Sequence, residues 1–411
     1  MAIALGLALL SLSIWLVLLL GWGGFWLCDQ RLELGTDCSE DSTSQDSMSE
    51  SRLPSVCAVV PARNEADVLP VSLRSLLVQN YPGNFQIVLV DDHSADGTAQ
   101  VAKETAEASG KAHLLHLISA EPLPAGWSGK LWAMDQGVQK AQTFSPDYIL
   151  LTDADIEHDT ANLNRLVSKA VKQDLDLVSV MVRLRCESFW EKLLIPAFVF
   201  FFMKLYPFRW VNNPARKMAG AAGGCILIRQ SALDRIGGLQ TIRRALIDDC
   251  TLAQRVKGTG NREQETADTE ARDGATGRIW LGLSDLTQSL RPYPNLKTIW
   301  NMVARTAYTQ LNYSPLLLLG TLAGMGLVYL VPPIGLVGGI LTGQWAIALI
   351  SLTTYLLMTL AYFPTVRFYR CPPGFALCLP AIAFLYTLMT LDSAIRHWRG
   401  KGGAWKGRVY P

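Results

Sequence analysis

Three acidic clusters in this chain each follow an apolar run. Asp91-Asp92 follows Ile87-Val88-Leu89-Val90, Asp153-Ala154-Asp155 follows Tyr148-Ile149-Leu150-Leu151-Thr152, and Asp248-Asp249 follows Ala245-Leu246-Ile247. One acid at a strand end is an ordinary turn or helix cap. Three clusters in one region ask for more, because carboxylates gathered at one edge repel and need a cation or hydrogen-bond donors beside them. An Asp-x-Asp pair such as Asp153 and Asp155 can offer oxygens to Mg²⁺ or Mn²⁺, with phosphate and water completing the shell. Lys130 opens a helical segment and is either a point charge for a phosphate or a solvated surface lysine. His113 and His116 flank an apolar run with no spacing to another ligand group, and read as structural.

The elements that must position these acids alternate. Ser55–Val60 reads as a strand and Pro61-Ala62-Arg63-Asn64-Glu65 as a loop. Over 66–79 the apolar residues Val68, Leu69, Leu73, Leu76 and Leu77 recur at helical spacing. A second strand ends at Asp91-Asp92, a helix from about 98 to 109 is capped by Ser94-Ala95-Asp96-Gly97-Thr98, and a third strand covers 114–118. A helix over 130–142 and a fourth strand over 148–152 complete the run. Repeated β-α-β units predict an α/β fold with a mostly parallel sheet. Ligands of such sheets bind outside the carboxyl ends of the strands, which is where the acids fall.

Pro61-Ala62-Arg63-Asn64-Glu65, Val90-Asp91-Asp92-His93-Ser94-Ala95-Asp96-Gly97-Thr98 and Asp153-Ala154-Asp155 together resemble the nucleotide-binding half of a family 2 glycosyltransferase with the GT-A fold. Gly126-Trp127-Ser128-Gly129-Lys130, Ala222-Gly223-Gly224-Cys225 and Ile247-Asp248-Asp249-Cys250-Thr251-Leu252-Ala253 resemble its bacterial, membrane-bound hopene-associated branch, related to carotenoid and ceramide glycosyltransferases. The resemblance covers about 54–310. It implies that Pro61, Arg63 and Glu65 form the loop under the nucleoside, and that Asp91 or Asp92 accepts a hydrogen bond from the base. It implies that Asp153-Ala154-Asp155 meets the donor, with Asp155 on a Mg²⁺ or Mn²⁺ ion and Asp153 on the ribose or the metal. Asp249 aligns with the general base, and Lys130 and Arg305 with groups near the diphosphate. The Gln-x-x-Arg-Trp motif of processive and ceramide-type relatives is reduced to Met302-Val303-Ala304-Arg305-Thr306, which keeps only the Arg. The implied reaction is transfer of one sugar, with inversion, from a nucleotide-sugar donor to a lipid hydroxyl, hopanoid or otherwise isoprenoid or sphingolipid-like. A polysaccharide synthase and a non-catalytic nucleotide-sugar-binding scaffold are the alternatives.

Composition sets this domain in a membrane. Half of the 411 residues are apolar and 18% are charged, too apolar for an ordinary soluble enzyme. The net charge of +2 gives no nucleic-acid signature. No Cys-x-x-Cys pair occurs among the 8 cysteines, which read as reduced thiols. Residues 1–27 are almost wholly apolar, with no Lys or Arg, and long enough for a hydrocarbon core of roughly 30 Å; a retained anchor fits better than a cleaved signal peptide. Residues 28–53 read as a disordered tether and 258–277 as a polar insertion. The aromatic segment at about 189–210 reads as interfacial, with a buried helix as the alternative. Membrane helices are expected over 315–394, kinked or broken at Pro332-Pro333, before a basic tail over 395–411. The implied location is a bacterial inner membrane, multi-pass, with the catalytic domain facing the cytoplasm. The sequence leaves the oligomeric state open.

Overall fold

The structure is a computed structural model, and its described residues are 1–33, 53–258 and 277–400, with two short strands, Ala404–Trp405 and Arg408–Val409, in the tail. Most of the tether at 28–53 and nearly all of the insertion at 258–277 lie outside the described residues. The chain forms two units. One combines residues 29–184 and 210–291; the other combines 1–28, 185–209 and 292–411. The domain expected over 54–310 is thus distributed over both.

The first unit is built on an eight-stranded sheet. Its strands are β1 (Val56–Ala62), β2 (Phe85–Asp91), β3 (Leu115–Ser119), β4 (Tyr148–Thr152), β5 (Ile156–His158), β6 (Leu177–Arg183), β7 (Cys225–Arg229) and β8 (Ile279–Ser289), in the order β3-β2-β1-β4-β7-β6-β8-β5. The β3-β2-β1-β4 half is wholly parallel, as the β-α-β pattern predicts. In the other half β7 runs antiparallel to β4 and β6, β8 is parallel to β6, and β5 is antiparallel to β8. Because β1, β2 and β4 are parallel neighbours, their carboxyl ends lie along one edge, and Arg63, Asp92 and Asp153 follow those ends directly.

Pro61 and Ala62, expected in a loop, belong to β1. A proline fits a central strand here because β4 pairs with β1 only as far as Val59, so the missing N–H of Pro61 interrupts no ladder bond. Every residue of β1 is buried. Leu69, Leu73, Leu76 and Leu77, from the helix Leu69–Leu77, join Val56, Ala58 and Val60 in the core. The helix Gly129–Gln142 presses on the sheet through Gly137, where a Cβ would stand 2.4 Å from Val59 Cγ1 and 3.0 Å from Val90 Cγ2.

The second unit is helical. Among the described residues five helices are long and apolar enough to cross a membrane: Ala2–Gly21, Phe189–Val211, Pro315–Leu341, Trp345–Phe368 and Pro373–Trp398. Within Pro315–Leu341 the prolines leave a local distortion, not a break. A π-turn occupies Gly326–Leu330, and Pro332, lacking an N–H, cannot bond the Val328 carbonyl four residues back. Trp15 Nε1 donates to that carbonyl at 2.9 Å and so satisfies an acceptor that would otherwise be orphaned in an apolar setting. The aromatic segment forms the helix Phe189–Leu205, capped by Ser188 and Glu191. It is more than half buried rather than lying with one face open. Its apolar residues surround the helix: Phe200 packs on Tyr362 and Phe201 on Tyr386.

Gly137→Ala should lower stability by about 1–3 kcal/mol through overpacking against Val59 and Val90. The thermal unfolding midpoint reads this; an unchanged midpoint would contradict the close helix–sheet approach.

Candidate active site

Two loops at the carboxyl edge of the sheet are zipped together by side chains. Asn64 Oδ1 accepts from Ala95 N at 2.9 Å and Asn64 N donates to Ser94 Oγ at 2.9 Å. Glu65 N donates to Thr98 Oγ1 at 3.0 Å, and Ala66 N to Asp96 Oδ2 at 3.0 Å. The polar residues of the two motifs are therefore spent largely on holding the loops in register. Asn64 and His93 both take the left-handed backbone conformation there, at φ 50° and 52°.

The charged residues form two groups. In the first, Arg63 Nη1 donates to the Asp92 carbonyl at 2.6 Å and lies 3.3 Å from its carboxylate. Asp92 is buried, whereas Asp91, at the end of β2, is half-buried and accepts from Ser94 N at 3.2 Å. Arg291, just past β8, then joins two more of the expected acids: Nη2 reaches Glu65 Oε1 at 2.8 Å and Nε reaches Asp155 Oδ2 at 3.0 Å. Ser289 Oγ donates to the same Asp155 oxygen at 3.0 Å. Glu65 is thus turned toward an arginine that the sequence reading does not single out. A lone basic residue after a strand carries no spacing signal; only the fold brings it across 226 residues to Glu65.

The second group centres on Lys130. Ser128 caps its helix, accepting from Leu131 N, and this aims the Lys130 side chain at the sheet edge. Its Nζ lies 2.7 Å from Asp153 Oδ1. Asp248 and Asp249 open the helix Asp248–Val256, where the positive end of the helix favours negative charge. Asp249 Oδ2 accepts from Gly223 N at 2.9 Å and Oδ1 from Cys250 N at 2.7 Å. A Cβ placed on Gly223 would stand 3.4 Å from Asp249 Oδ2 and 3.7 Å from Lys130 Nζ, so the ammonium and the carboxylate flank one open point above this glycine. Leu131, Met134, Ile226, Leu239, Ile242 and Leu252 give the recess beside them an apolar wall.

The electrostatics follow from that crowding. Burial pushes the Asp153 carboxyl up, against the pull of Lys130. Burial would lower Lys130, but Asp153, Asp248 and Asp249 together hold it above the ordinary lysine value. Burial first, and the charge of Asp248 second, push the Asp249 carboxyl up to about 6.

Of the expected donor contacts, Pro61 and Ala154 are set by the core. Pro61 is buried in β1, and Ala154, in the turn between β4 and β5, is buried with its carbonyl accepting from Ser72 Oγ at 2.6 Å. Arg305 belongs to the helical unit, where it caps the helix Leu296–Ala304. Among the described residues no three His, Cys, Asp or Glu side chains gather into a metal cluster. The chemistry of the donor set still suits a hard divalent ion held by Asp153 and Asp155 and completed by phosphate oxygens.

Carboxylate absorption in the infrared should show Asp249 titrating near pH 6. Lys130→Met removes the stabilising cation and should move that midpoint up; Asp248→Asn removes the repelling anion and should move it down. A midpoint near the ordinary aspartate value, indifferent to both changes, would contradict this arrangement.

Residues 57–237 match the family model described as "Glycosyl transferase family 2". The chain is 27% identical over 235 residues to the "Probable glycosyltransferase YdaM" of Bacillus subtilis (strain 168), covering 56% of this chain and 53% of that protein. It is 26% identical over 177 residues to the "Undecaprenyl-phosphate 4-deoxy-4-formamido-L-arabinose transferase" of Pseudomonas savastanoi pv. phaseolicola, covering 42% and 46%. The chain spans about half the length of these curated relatives. A solved mannosyltransferase, PcManGT from Pyrobaculum calidifontis in complex with GDP-Man and Mn²⁺, aligns over 96% of this chain and 99% of its own at 17% identity and a TM-score of 0.48. Through its residues 57–237 the chain is thus similar to glycosyl transferase family 2.

Proposed function

We propose that this protein is a membrane-bound glycosyltransferase that moves one sugar from a nucleotide-sugar donor to a lipid acceptor, with inversion at the anomeric carbon. The observation that carries this reading is Lys130, which is paired with Asp153 and flanks Gly223 opposite Asp249. A donor diphosphate lying beside Lys130 would put its anomeric carbon over Gly223, with Asp249 on the far side. The acceptor oxygen attacks that carbon, and the bond to the phosphate oxygen breaks with its electron pair leaving on the nucleoside diphosphate. The acceptor proton passes to the Asp249 carboxylate. Each Asp249 oxygen accepts one backbone N–H and keeps a second lone pair for that proton. A pKa of about 6 leaves the base largely ionised near neutrality yet more basic than a surface aspartate.

Asp153 and Asp155 would hold a Mg²⁺ or Mn²⁺ ion, which supplies positive charge to the leaving diphosphate when bound. Lys130 and Arg291 occupy these carboxylates until the donor arrives, so each is a cation available to diphosphate oxygens. Glu65 orients Arg291, and Arg63 fixes Asp92 near the nucleoside end.

The membrane half of the reading rests on the apolar helices. A lipid acceptor is supported by them and by the undecaprenyl-phosphate relatives; a hopanoid acceptor rests on sequence resemblance alone. The helix Phe189–Leu205 lies between β6 and β7, antiparallel neighbours in one sheet, so the chain leaves that sheet and returns to the same side. That favours a membrane-embedded helix which does not cross, and four crossings by the other long helices. We place the sheet unit in the bacterial cytoplasm, where nucleotide sugars are made.

Incubation of the purified chain with a panel of nucleotide sugars, Mg²⁺ or Mn²⁺ and a bacterial lipid extract should yield a lipid heavier by one sugar, read by mass spectrometry. Products lengthening by many sugars would favour a polymer synthase, and no product with any donor would count against transfer. Asp249→Asn should lower turnover by roughly 10²–10⁴-fold while nucleotide binding persists. Gly223→Ala should fold normally, since its methyl meets only ordinary contacts, yet should depress turnover by filling the point between Lys130 and Asp249. Full activity in either variant would remove the assigned geometry.

A further inference from the structure

A line of buried polar side chains runs through the sheet unit and ends at the site. Thr287 of β8, Asn162 at the start of the helix Asn162–Lys172, His158 of β5 and Thr152 of β4 are all buried. Thr287 Oγ1 donates to Asn162 Oδ1 at 3.2 Å, and Asn162 Nδ2 lies 2.9 Å from His158 Nδ1. His158 Nε2 lies 3.0 Å from Thr152 Oγ1, which itself donates to the Gly224 carbonyl at 2.8 Å. None of these four residues carries a role in the transfer chemistry.

The partners fix where the protons sit. An amide nitrogen only donates, so His158 Nδ1 is the acceptor of its bond with Asn162. Thr152 has one O–H proton and gives it to Gly224, so its oxygen accepts from His158 Nε2–H. One neutral tautomer meets both demands, whereas an imidazolium would set Nδ1–H against the amide protons of Asn162. Burial acts in the same sense and pushes the imidazole down to about 3. A buried network satisfied in this way is rigid, and losing any member leaves another unpaired.

The far end of the line falls where the site needs a fixed backbone. The ladder between β4 and β7 stops at the pair Thr152–Cys225. Gly223 and Gly224 lie just beyond it. Thr152 Oγ1 holds the Gly224 carbonyl, and Gly223 N donates to Asp249. Thr152 also directly precedes Asp153. From its own backbone His158 reaches the same turn by a second route. His158 N donates to Ser75 Oγ at 3.0 Å, Ser75 Oγ to the Ser72 carbonyl at 2.6 Å, and Ser72 Oγ to the Ala154 carbonyl at 2.6 Å.

We propose that His158 is a positioning residue for the transfer site, which through Thr152 sets the places of Asp153 and of the Gly223-Gly224 backbone. The proposal rests on the transfer reading for what the site does, and a measurement that needs no turnover tests its geometry.

The full chain is compared with two His158 variants. His158→Gln puts an amide N–H near the place of Nε2 and can still donate to Thr152. His158→Asn reaches only as far as Nδ1 and cannot. In His158→Asn the infrared midpoint of Asp249 should rise by roughly half to one pH unit, because a loosened Gly223 N–H no longer favours the carboxylate. Lys130 and Asp248, the charged groups that act on Asp249, are unchanged in it. His158→Gln should stay close to wild type. Turnover should follow, with kcat down roughly tenfold to a hundredfold in His158→Asn, a smaller change in the donor KM, and most of the loss recovered in His158→Gln. Thr152→Val, close in shape, should raise the same midpoint and serves if His158→Asn does not fold. A midpoint unmoved in the folded variants would overturn the proposal, even if their thermal stability fell. Equal effects of Gln and Asn would overturn it too, since the ring would then matter only for packing. Absence of transfer by wild type would remove the transfer reading alone, because the midpoint shift would still report the network. An unmoved midpoint beside normal wild-type transfer would remove this proposal alone.

Discussion

The arrangement depends on one half-buried cation among acids. Asp153, Asp248 and Asp249 come from a strand end and a helix start almost a hundred residues apart, and like charges at such spacing would drive those elements apart. The Lys130 ammonium reconciles them. It bonds Asp153 directly, and its pKa is raised by all three. The parallel run β1–β4 brings Asp92 and Asp153 to one edge, the antiparallel β7 brings Gly223 and its neighbours back to it, and Lys130 makes the result tolerable. The same charge is then available to a ligand bringing negative charge of its own. Folding and binding thus draw on one group, which explains why the lysine is held at a capped helix start and not on a flexible surface turn.

Much of this was legible from local pattern. The strands and helices from β1 to β4 follow the hydrophobic periodicity to within about three residues, and the parallel half of the sheet follows from their alternation. Lys130, Asp153 and Asp249 were marked by type and position and are brought together. The return half was not legible. β5 is only three residues long, and β7 enters antiparallel against β4, a pairing that no local periodicity encodes. Arg291 is invisible for the same reason, since its two partners, Glu65 and Asp155, are non-local. Pro61 shows the opposite error: its chemistry suggested a loop, and only the short reach of β4 makes it acceptable in a strand.

The helical unit repeats the theme that a missing or excess polar group is answered from elsewhere in the chain. Pro332 deprives Val328 of its helical donor, and Trp15 supplies one. The prolines predicted a kink, and what forms is a π-turn that keeps Pro315–Leu341 continuous and places Tyr329 against Lys204. In an apolar medium each such group is costly unless paired, so the pairings are worth reading as design rather than decoration.

The most direct test of the convergence around Lys130 is an experimental structure of the full chain bound to a non-transferable nucleotide sugar with Mn²⁺. The account predicts the diphosphate within ion-pair distance of Lys130, and the anomeric carbon above Gly223 facing Asp249. A donor bound elsewhere, with Lys130 still closed on Asp153 and Asp249 remote from the sugar, would contradict it.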